Sequence, residues 1–311
     1  MRTPIIIIAV MIFIVGSAFV IRFVFDKKPL DEKITLTKSE NKEDDETKNN
    51  GQINKKNSDE QAVVLVNKWN VPEILKEISA IEYLDDKRFA CVQDELGKIF
   101  IFNVETEKIE KEIPFASTGD YEGLALVGET AWVLRADGRL IEVSKFNSKK
   151  PVVREYKTHL TSKQDTEGLT LDKANSRLLI SIKGKEPETD AYKGIYAFDL
   201  ESKKMAKEPV IKIDLANDIF DSKKSGKKKK DAAINPSEIV VNPKTGDIYV
   251  TDGRNPHLLI MDKSGEILSL LKLEDPAFSQ PEGMSFSPDG KLFISNEGTK
   301  KAGNILEVKI Q

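Results

Sequence analysis

The sequence has little of the chemistry that most enzymes and metal proteins use. It contains one cysteine, Cys91, and two histidines, His159 and His257, in 311 residues. A lone cysteine cannot form an internal disulfide, and with two distant histidines it cannot complete a tetrahedral zinc site. No Gly-x-Ser-x-Gly elbow, His-Glu-x-x-His helix, Walker loop or dinucleotide-binding glycine pattern occurs in the chain. These absences exclude disulfide scaffolds and histidine- or cysteine-based metal centres, and they leave no recognisable catalytic motif.

An excess of one charge is missing as well. The 48 basic and 51 acidic side chains leave a formal net charge of -3. No global basic field therefore draws the chain to nucleic acid, which is not an expected partner. Residues 223–230 include a local run of lysines, for which a solvated loop is a simpler interpretation than a phosphate- or membrane-binding patch.

A long apolar run lies near the amino terminus. Residues 5–21 contain no charged side chain, which predicts a transmembrane anchor over residues 1–25. A cleaved signal peptide is the alternative, because Gly16 and Ala18 are small residues at a plausible cleavage spacing. The apolar residues that continue past this point favour the anchor. Residues 26–62 are dominated by Lys, Glu, Asp, Asn and Ser, a composition that predicts a disordered tether.

A short phrase recurs in the rest of the chain. Its copies are YEGLAL at 121–126, TEGLTL at 166–171, SEIVV at 237–241, PEGMSF at 281–286 and a degenerate ISAIEY at 78–83. The corner positions 79, 122, 167, 238 and 282 are separated by 43, 45, 71 and 44 residues. Units of about 40 to 50 residues, each with short strands and turns, are typical of β-propeller blades. The long third unit predicts inserted loops at residues 184–193 and 215–231.

The last unit is too short for a complete blade. Only 30 residues remain from Glu282 to the end of the sequence, enough for three strands. The strand-like segment 63–71 is therefore predicted to supply the outer strand of the last blade and to close the ring. The sequence thus predicts an all-β, five-bladed β-propeller over residues 63–311, preceded by a transmembrane helix and a disordered tether.

The phrases around the corners also resemble one family. They are KEISAIEYL at 76–84, VQDE at 92–95, DTEGL at 165–169, NPKTGDIYV at 242–250, QPEG at 280–283 and SNEG at 295–298. In this order they resemble the SdiA-regulated domain family, the YjiK-like proteins, over nearly all of residues 63–311. The resemblance implies a five-bladed propeller distantly similar to NHL repeats, a calcium site, an N-terminal membrane segment or export signal, and no established reaction. Ala80, where the family usually has glycine, and the lysine-rich insertion are departures that leave the repeat frame intact.

The start of the first strand and the end of the second lie at the same end of an antiparallel blade. The corners and the second-strand ends are therefore predicted to share one mouth on the propeller axis. The predicted metal ligands are Glu122, Glu167, Glu238 and Glu282. The other predicted mouth residues are Ser79, Gln93, Asp94, Glu95, Arg135, Lys183, Asp252, Arg254, Asn296 and Glu297.

Four carboxylates around a narrow axis repel one another, so they must protonate, pair with a base or bind a cation. Calcium, which accepts about six to eight oxygen ligands in loose geometry, is the predicted cofactor. Arg135, Lys183 and Arg254 could neutralise the ring instead. A purely structural alternative is that each corner glutamate only satisfies backbone donors at the turn.

Three functions are compatible with such a mouth. The leading hypothesis is a membrane-tethered, calcium-binding module that recognises an envelope ligand or partner protein. The alternative is a calcium-dependent hydrolase of the phosphoesterase or lactonase type, and the third is a structural propeller whose ion only closes the ring. We expect the propeller to be periplasmic or extracellular, because calcium is plentiful there. The four basic residues that follow the apolar run, against Arg2 before it, favour the opposite orientation.

Overall fold

The computed structural model describes residues 61–220 and 234–311, and these residues form five antiparallel sheets. Blade 1 contains β2 (Ile78–Asp85), β3 (Arg88–Gln93), β4 (Lys98–Asn103) and β5 (Lys108–Pro114), and blade 2 contains β6 (Tyr121–Val127), β7 (Thr130–Arg135), β8 (Leu140–Ser144) and β9 (Val152–Tyr156). Blade 3 contains β10 (Thr166–Asp172), β11 (Arg177–Ile182), β12 (Tyr192–Asp199), β13 (Lys204–Met205) and β14 (Ile211–Asp214). Blade 4 contains β15 (Pro236–Val241), β16 (Ile248–Asp252), β17 (His257–Met261) and β18 (Ile267–Lys272), and blade 5 contains β19 (Pro281–Phe286), β20 (Leu292–Asn296), β21 (Asn304–Ile310) and β1 (Val63–Asn70). Short 3-10 turns lie at Glu73–Leu75, Lys173–Asn175 and Asp218–Phe220. The predicted all-β, five-bladed propeller is confirmed.

The position of each strand within its blade follows from its hydrophobic pattern. In blade 4 every residue of β16 is buried, because this central strand has a neighbouring strand on each side and a blade on each face. The outer strand β5 of blade 1 alternates instead, and of its residues only Ile113 is fully buried. Continuous apolar runs therefore become central strands, and alternating runs become outer ones.

The apolar core lies between neighbouring blades, where aromatic side chains join one sheet to the next. Phe89 of blade 1 packs edge-on against Phe293 of blade 5, with ring centroids 4.9 Å apart. Trp132 of blade 2 lies 5.5 Å from Phe198 of blade 3, measured between ring centroids. Because each sheet is stabilised by its neighbours on both sides, the ring must close for every interface to be buried.

The ring closes through the N-terminal strand, as predicted. Strand β1 pairs antiparallel with β21, in a register that runs from Val63 opposite Ile310 to Asn70 opposite Asn304. Ala62 and Gln311 extend the ladder with two backbone hydrogen bonds of 3.1 and 3.0 Å. The outer strand of blade 5 therefore comes from the beginning of the propeller, and its other three strands come from the end of the chain.

Blade 3 carries the extra length that the repeat spacing predicts. Its chain has no regular secondary structure after β11 until β12 begins at Tyr192, and its outer edge is divided between the short strands β13 and β14. The lysine run lies in residues 221–233, outside the described residues, as do the predicted anchor and all of the predicted tether before residue 61. Within residues 61–220 and 234–311, no helix has the length and hydropathy needed to cross a membrane.

The closing strand allows a direct test by truncation. Deletion of residues 1–60 keeps β1, so we expect a folded, soluble domain. Deletion of residues 1–72 removes β1 and exposes the edge of β21. We expect the shorter protein to aggregate or to melt roughly 10 °C lower by circular dichroism, as a loss of about 4 kcal/mol would produce in a domain of this size. Equal melting of the two proteins would contradict the role of β1 in closure.

Candidate functional site

Three glutamates reach the mouth through bulges at the starts of the innermost strands. In blade 2 the pairing jumps from Tyr121 opposite Arg135 to Gly123 opposite Leu134, so that Glu122 has no partner across the ladder. The same irregularity skips Glu167 in blade 3 and Glu282 in blade 5. A bulge redirects its extra residue, and all three glutamates line one pocket.

Blade 4 has the same bulge one residue earlier than the repeat phrase predicts. Pro236 pairs with Asp252 and Glu238 with Thr251, so Ser237 is the bulged residue. Ser237 behaves like Ser79 of blade 1, since each hydroxyl donates to the carbonyl that precedes the next blade's corner, at 2.7 Å to Pro281 and 2.8 Å to Tyr121. The predicted alignment of Glu238 with the other corner glutamates is therefore displaced by one residue. Glu238 occupies the position that is glycine in blades 2, 3 and 5.

The pocket at the mouth has a volume of about 100 Å³, enough for a small group or a few water molecules. Acidic side chains dominate its wall. Its lining residues are Glu77, Ile78, Ser79, Asp94, Glu122, Glu167, Lys183, Gln280, Glu282 and Glu297. They come from blades 1, 2, 3 and 5 and the segments that lead into them, and blade 4 contributes none. The structure thus brings together three of the four predicted metal ligands with four of the other predicted mouth residues.

Asp94, Lys183 and Glu297 occupy equivalent places just after the second strand of their blades. Each is anchored by its backbone N–H, which donates to a carbonyl two residues before the corner of the same blade. For Lys183 this bond, to Asp165, measures 2.8 Å, and for Glu297 the bond to Gln280 measures 2.9 Å. The same backbone hydrogen bond therefore fixes the positions of all three residues around the pocket.

Lys183 and Glu167 form the central ion pair of the pocket. The Lys183 Nζ donates to Glu167 Oε1 at 2.9 Å. The Glu167 side chain is 5% exposed and the Lys183 side chain 29%. Burial would lower the pKa of Lys183, but the neighbouring carboxylates, Glu167 first and then Glu282 and Glu122, raise it above its usual value. The ammonium group therefore keeps its charge inside the acidic pocket.

Burial and mutual repulsion raise the pKa of the pocket carboxyl groups. Burial is the largest cause for Glu122, followed by the charge of Glu167. The pKa of Glu282 rises to about 7, chiefly through burial, although Lys183 opposes the rise. The pKa of Asp94 rises to about 6 for the same main reason, and its buried Oδ1 has no hydrogen-bond partner. At neutral pH these groups hold protons or need further positive charge.

Glu238 and Glu82 are acidic side chains of inner strands that do not line the pocket. The Oε1 of Glu238 accepts hydrogen bonds from the backbone of Leu169 at 2.8 Å and of Ile239 at 2.9 Å, while its buried Oε2 has no partner. Glu82 accepts from the Leu126 backbone and the Ser285 hydroxyl. Glu82 is not among the predicted site residues, although a charged residue in a predicted inner strand is a usable signal. Glu77 and Gln280, which precede the corners in the chain, are also absent from the prediction.

The other predicted mouth residues serve local structure or lie away from the pocket. Asp252 is buried and caps the turn after β16, accepting from the backbone of Arg254, Asn255 and Asn235. Buried Asn296 donates to Asn304 at 3.1 Å. Gln93 accepts a backbone hydrogen bond from Leu96, and Arg135 pairs with Asp137 at 3.4 Å. Glu95 and Arg254 are exposed. None of these residues lines the pocket.

Fold and site together define a five-bladed β-propeller with an acidic central pocket. Residues 215–311 match the family model described as SdiA-regulated, which confirms the family resemblance over this part of the chain. No curated protein matches the sequence.

Solved structures with a similar fold share little sequence with this chain. The glutaminyl cyclase of Myxococcus xanthus is 13% identical with a TM-score of 0.55, over 81% of this chain and 97% of that chain. Virginiamycin B lyase of Staphylococcus aureus is 16% identical with a TM-score of 0.43, over 81% of this chain and 74% of that chain. The likeness to the glutaminyl cyclase, at this identity, shows a common fold alone.

The buried Glu82 predicts a measurable dependence of stability on pH. Burial raises its pKa from 4.5 to about 7, outweighing the hydrogen bonds from Ser285 and Leu126. The folded state therefore keeps a proton that the unfolded state loses above pH 4.5, so stability falls as pH rises from 4.5 to 7 and stays lower above that.

Glu82→Gln imitates the protonated side chain and should remove this part of the pH dependence. At pH 8 we expect the variant to gain about 3 kcal/mol relative to the wild type, and at pH 4.5 to differ little from it, in urea titrations with chelator present. Glu129→Gln, at an exposed turn, serves as the control. A Glu82 variant whose pH profile parallels that of the wild type would contradict the prediction.

Proposed function

We propose that the propeller is a calcium-binding module whose central pocket recognises a ligand or partner. The observation that carries this proposal is the convergence of Glu122, Glu167 and Glu282 on one pocket. Each comes from a different blade, at the same bulged position. Together with Asp94 and Glu297 they surround a single ammonium group among the lining residues. One positive charge is too little to balance this wall, so a bound cation would stabilise it.

The donor chemistry of the pocket suits calcium. Carboxylate oxygens and the Ser79 hydroxyl are hard ligands, and calcium accepts about six to eight of them in loose geometry. The unpartnered Oδ1 of Asp94 is one oxygen that lacks any other role. Among the described residues, no three Asp, Glu, His or Cys side chains lie close enough together to hold a metal ion as they stand, so the pocket carboxylates would have to move toward a bound ion. Glu122, Glu282 and Asp94 would hold the ion, joined by Glu167 once it leaves Lys183.

Calcium should therefore raise the melting temperature of the domain. A ligand that binds only the folded state stabilises it by about 2.7 kcal/mol at a hundredfold excess over Kd, which corresponds to roughly 5 to 10 °C here. Chelator should reverse the gain. Glu282→Gln keeps the side-chain shape but removes a charge, so its calcium-induced shift should be at most half that of the wild type. Glu129→Gln should retain the full shift, and wild-type melting that ignores both calcium and chelator would refute calcium binding.

We propose that this module is tethered to the cell membrane by residues 1–25, with the propeller on the periplasmic or extracellular side. The uncharged run of residues 5–21 supports a membrane anchor. The resemblance to a family with an export signal or membrane segment supports a location of the propeller outside the cytoplasm. An envelope ligand or protein is then the expected partner. Calcium is abundant outside the cytoplasm, which makes the pocket usable there without a high-affinity site.

One observation favours the alternative of a calcium-dependent hydrolase. In the metal-free pocket the pKa of Glu282 is about 7, so if the other carboxylates held the ion, Glu282 could both accept and donate a proton at neutral pH. If the pocket is catalytic, turnover of a phosphate ester or a lactone should require calcium. It should then fall about a hundredfold or more in Glu282→Gln and stay unchanged in Glu129→Gln. No turnover of either substrate class above the protein-free rate would reject this alternative.

A further inference from the structure

Lys183 is the one basic residue among the described residues that line the pocket. Its equivalents after the second strands of the other blades are Asp94, Ala136, Gly253 and Glu297. None of these can supply a positive charge. The ion pair with Glu167 therefore places the Lys183 ammonium group directly on one of the proposed metal ligands.

We propose that Lys183 is the residue that sets the cation affinity of the pocket, because its ammonium group competes with a metal ion for Glu167. This inference rests on the proposed function, since both concern the same carboxylates. The Lys183 ammonium group is a counterion built into the pocket. A divalent cation must displace this ammonium group before Glu167 can become a ligand.

The backbone of Lys183 is fixed, whereas its side chain has room to leave. Its N–H donates to the Asp165 carbonyl at 2.8 Å, and its own carbonyl accepts from the Lys193 ammonium group. The Lys183 side chain is 29% exposed, so the ammonium group can swing into water on its flexible stem. Glu167, only 5% exposed, cannot follow. The carboxylate therefore stays in the pocket and takes whichever cation is available.

Removal of the lysine charge should have two linked effects. In the absence of metal, Glu167 becomes a buried carboxylate without its ion partner, which destabilises the fold. In the presence of calcium, no tethered competitor remains, and the ion binds more tightly. A side chain that only packed in the pocket would lower stability equally with and without calcium.

The test compares Lys183→Met with Lys185→Met in the full chain, with calcium as the probe. Both substitutions remove one positive charge from the same loop and keep most of the stem, but Lys185 is exposed and does not line the pocket. Calorimetric titration should give Lys183→Met an affinity for calcium at least tenfold above that of the wild type. Its melting temperature in chelator should be lower, and its calcium-induced shift larger. Lys185→Met should stay within twofold of the wild type.

Lys183→Gln, which keeps an N–H donor for Glu167, covers the case in which the methionine variant does not fold. Calcium binding by the Lys183 variants but not by the wild type would support the inference and refute wild-type calcium binding. Equal affinity of the wild type and all variants would overturn the inference and leave the proposed function standing. Affinity raised equally by Lys183→Met and Lys185→Met, or no binding by any protein, would also overturn it.

Discussion

The close approach of the five inner strands around the axis is the constraint on which the rest of the structure depends. A Cβ added at Gly123 would lie 2.6 Å from the Leu169 Cβ, and one added at Gly168 would lie 2.6 Å from the Ile239 nitrogen. At these two positions only glycine allows such contacts, whereas the equivalent positions of blades 1 and 4 accommodate Ala80 and Glu238. The bulge beside each of these glycines turns the preceding glutamate toward the pocket. The local geometry that lets the ring close therefore also produces its acidic mouth.

That geometry leaves buried negative charges that the chain accommodates in three different ways. Glu238, which does not reach the pocket, is held by the backbone N–H groups of Leu169 and Ile239. Glu167, inside the pocket, is held by the Lys183 ammonium group. The remaining pocket carboxyls, such as Glu122 and Glu282, respond by a raised pKa. Proton uptake, a tethered lysine and a bound cation are thus alternatives for the same missing positive charge.

The sequence predicts the ring well because repetition and periodicity act over whole blades. The recurring Glu-Gly phrase locates the inner strands, and the shortage of residues after Glu282 requires the closing strand that β1 supplies. Which residue of a strand start is bulged depends on pairing across the ladder, and composition does not record it. Ser237 and Glu238 therefore looked like the Tyr121 and Glu122 of another blade, although the pairing of Pro236 shifts them by one. The exposure of Glu95 and Arg254 likewise depends on the local turns after the second strands, which the recurring phrase does not predict.

A fold with five similar units thus builds a site that is not five-fold symmetric. At the corners of blades 1 and 4, Ser79 and Ser237 donate to the next blade's backbone, so these positions bring no charge. Blade 4 contributes no lining residue at all, and blade 3 contributes both members of the ion pair. The propeller supplies the ring of positions, and the side chains placed there set the chemistry. Under the proposed function, an entering cation would meet its competitor, Lys183, on the blade 3 side, so the proposed control of cation affinity resides in one blade of the five.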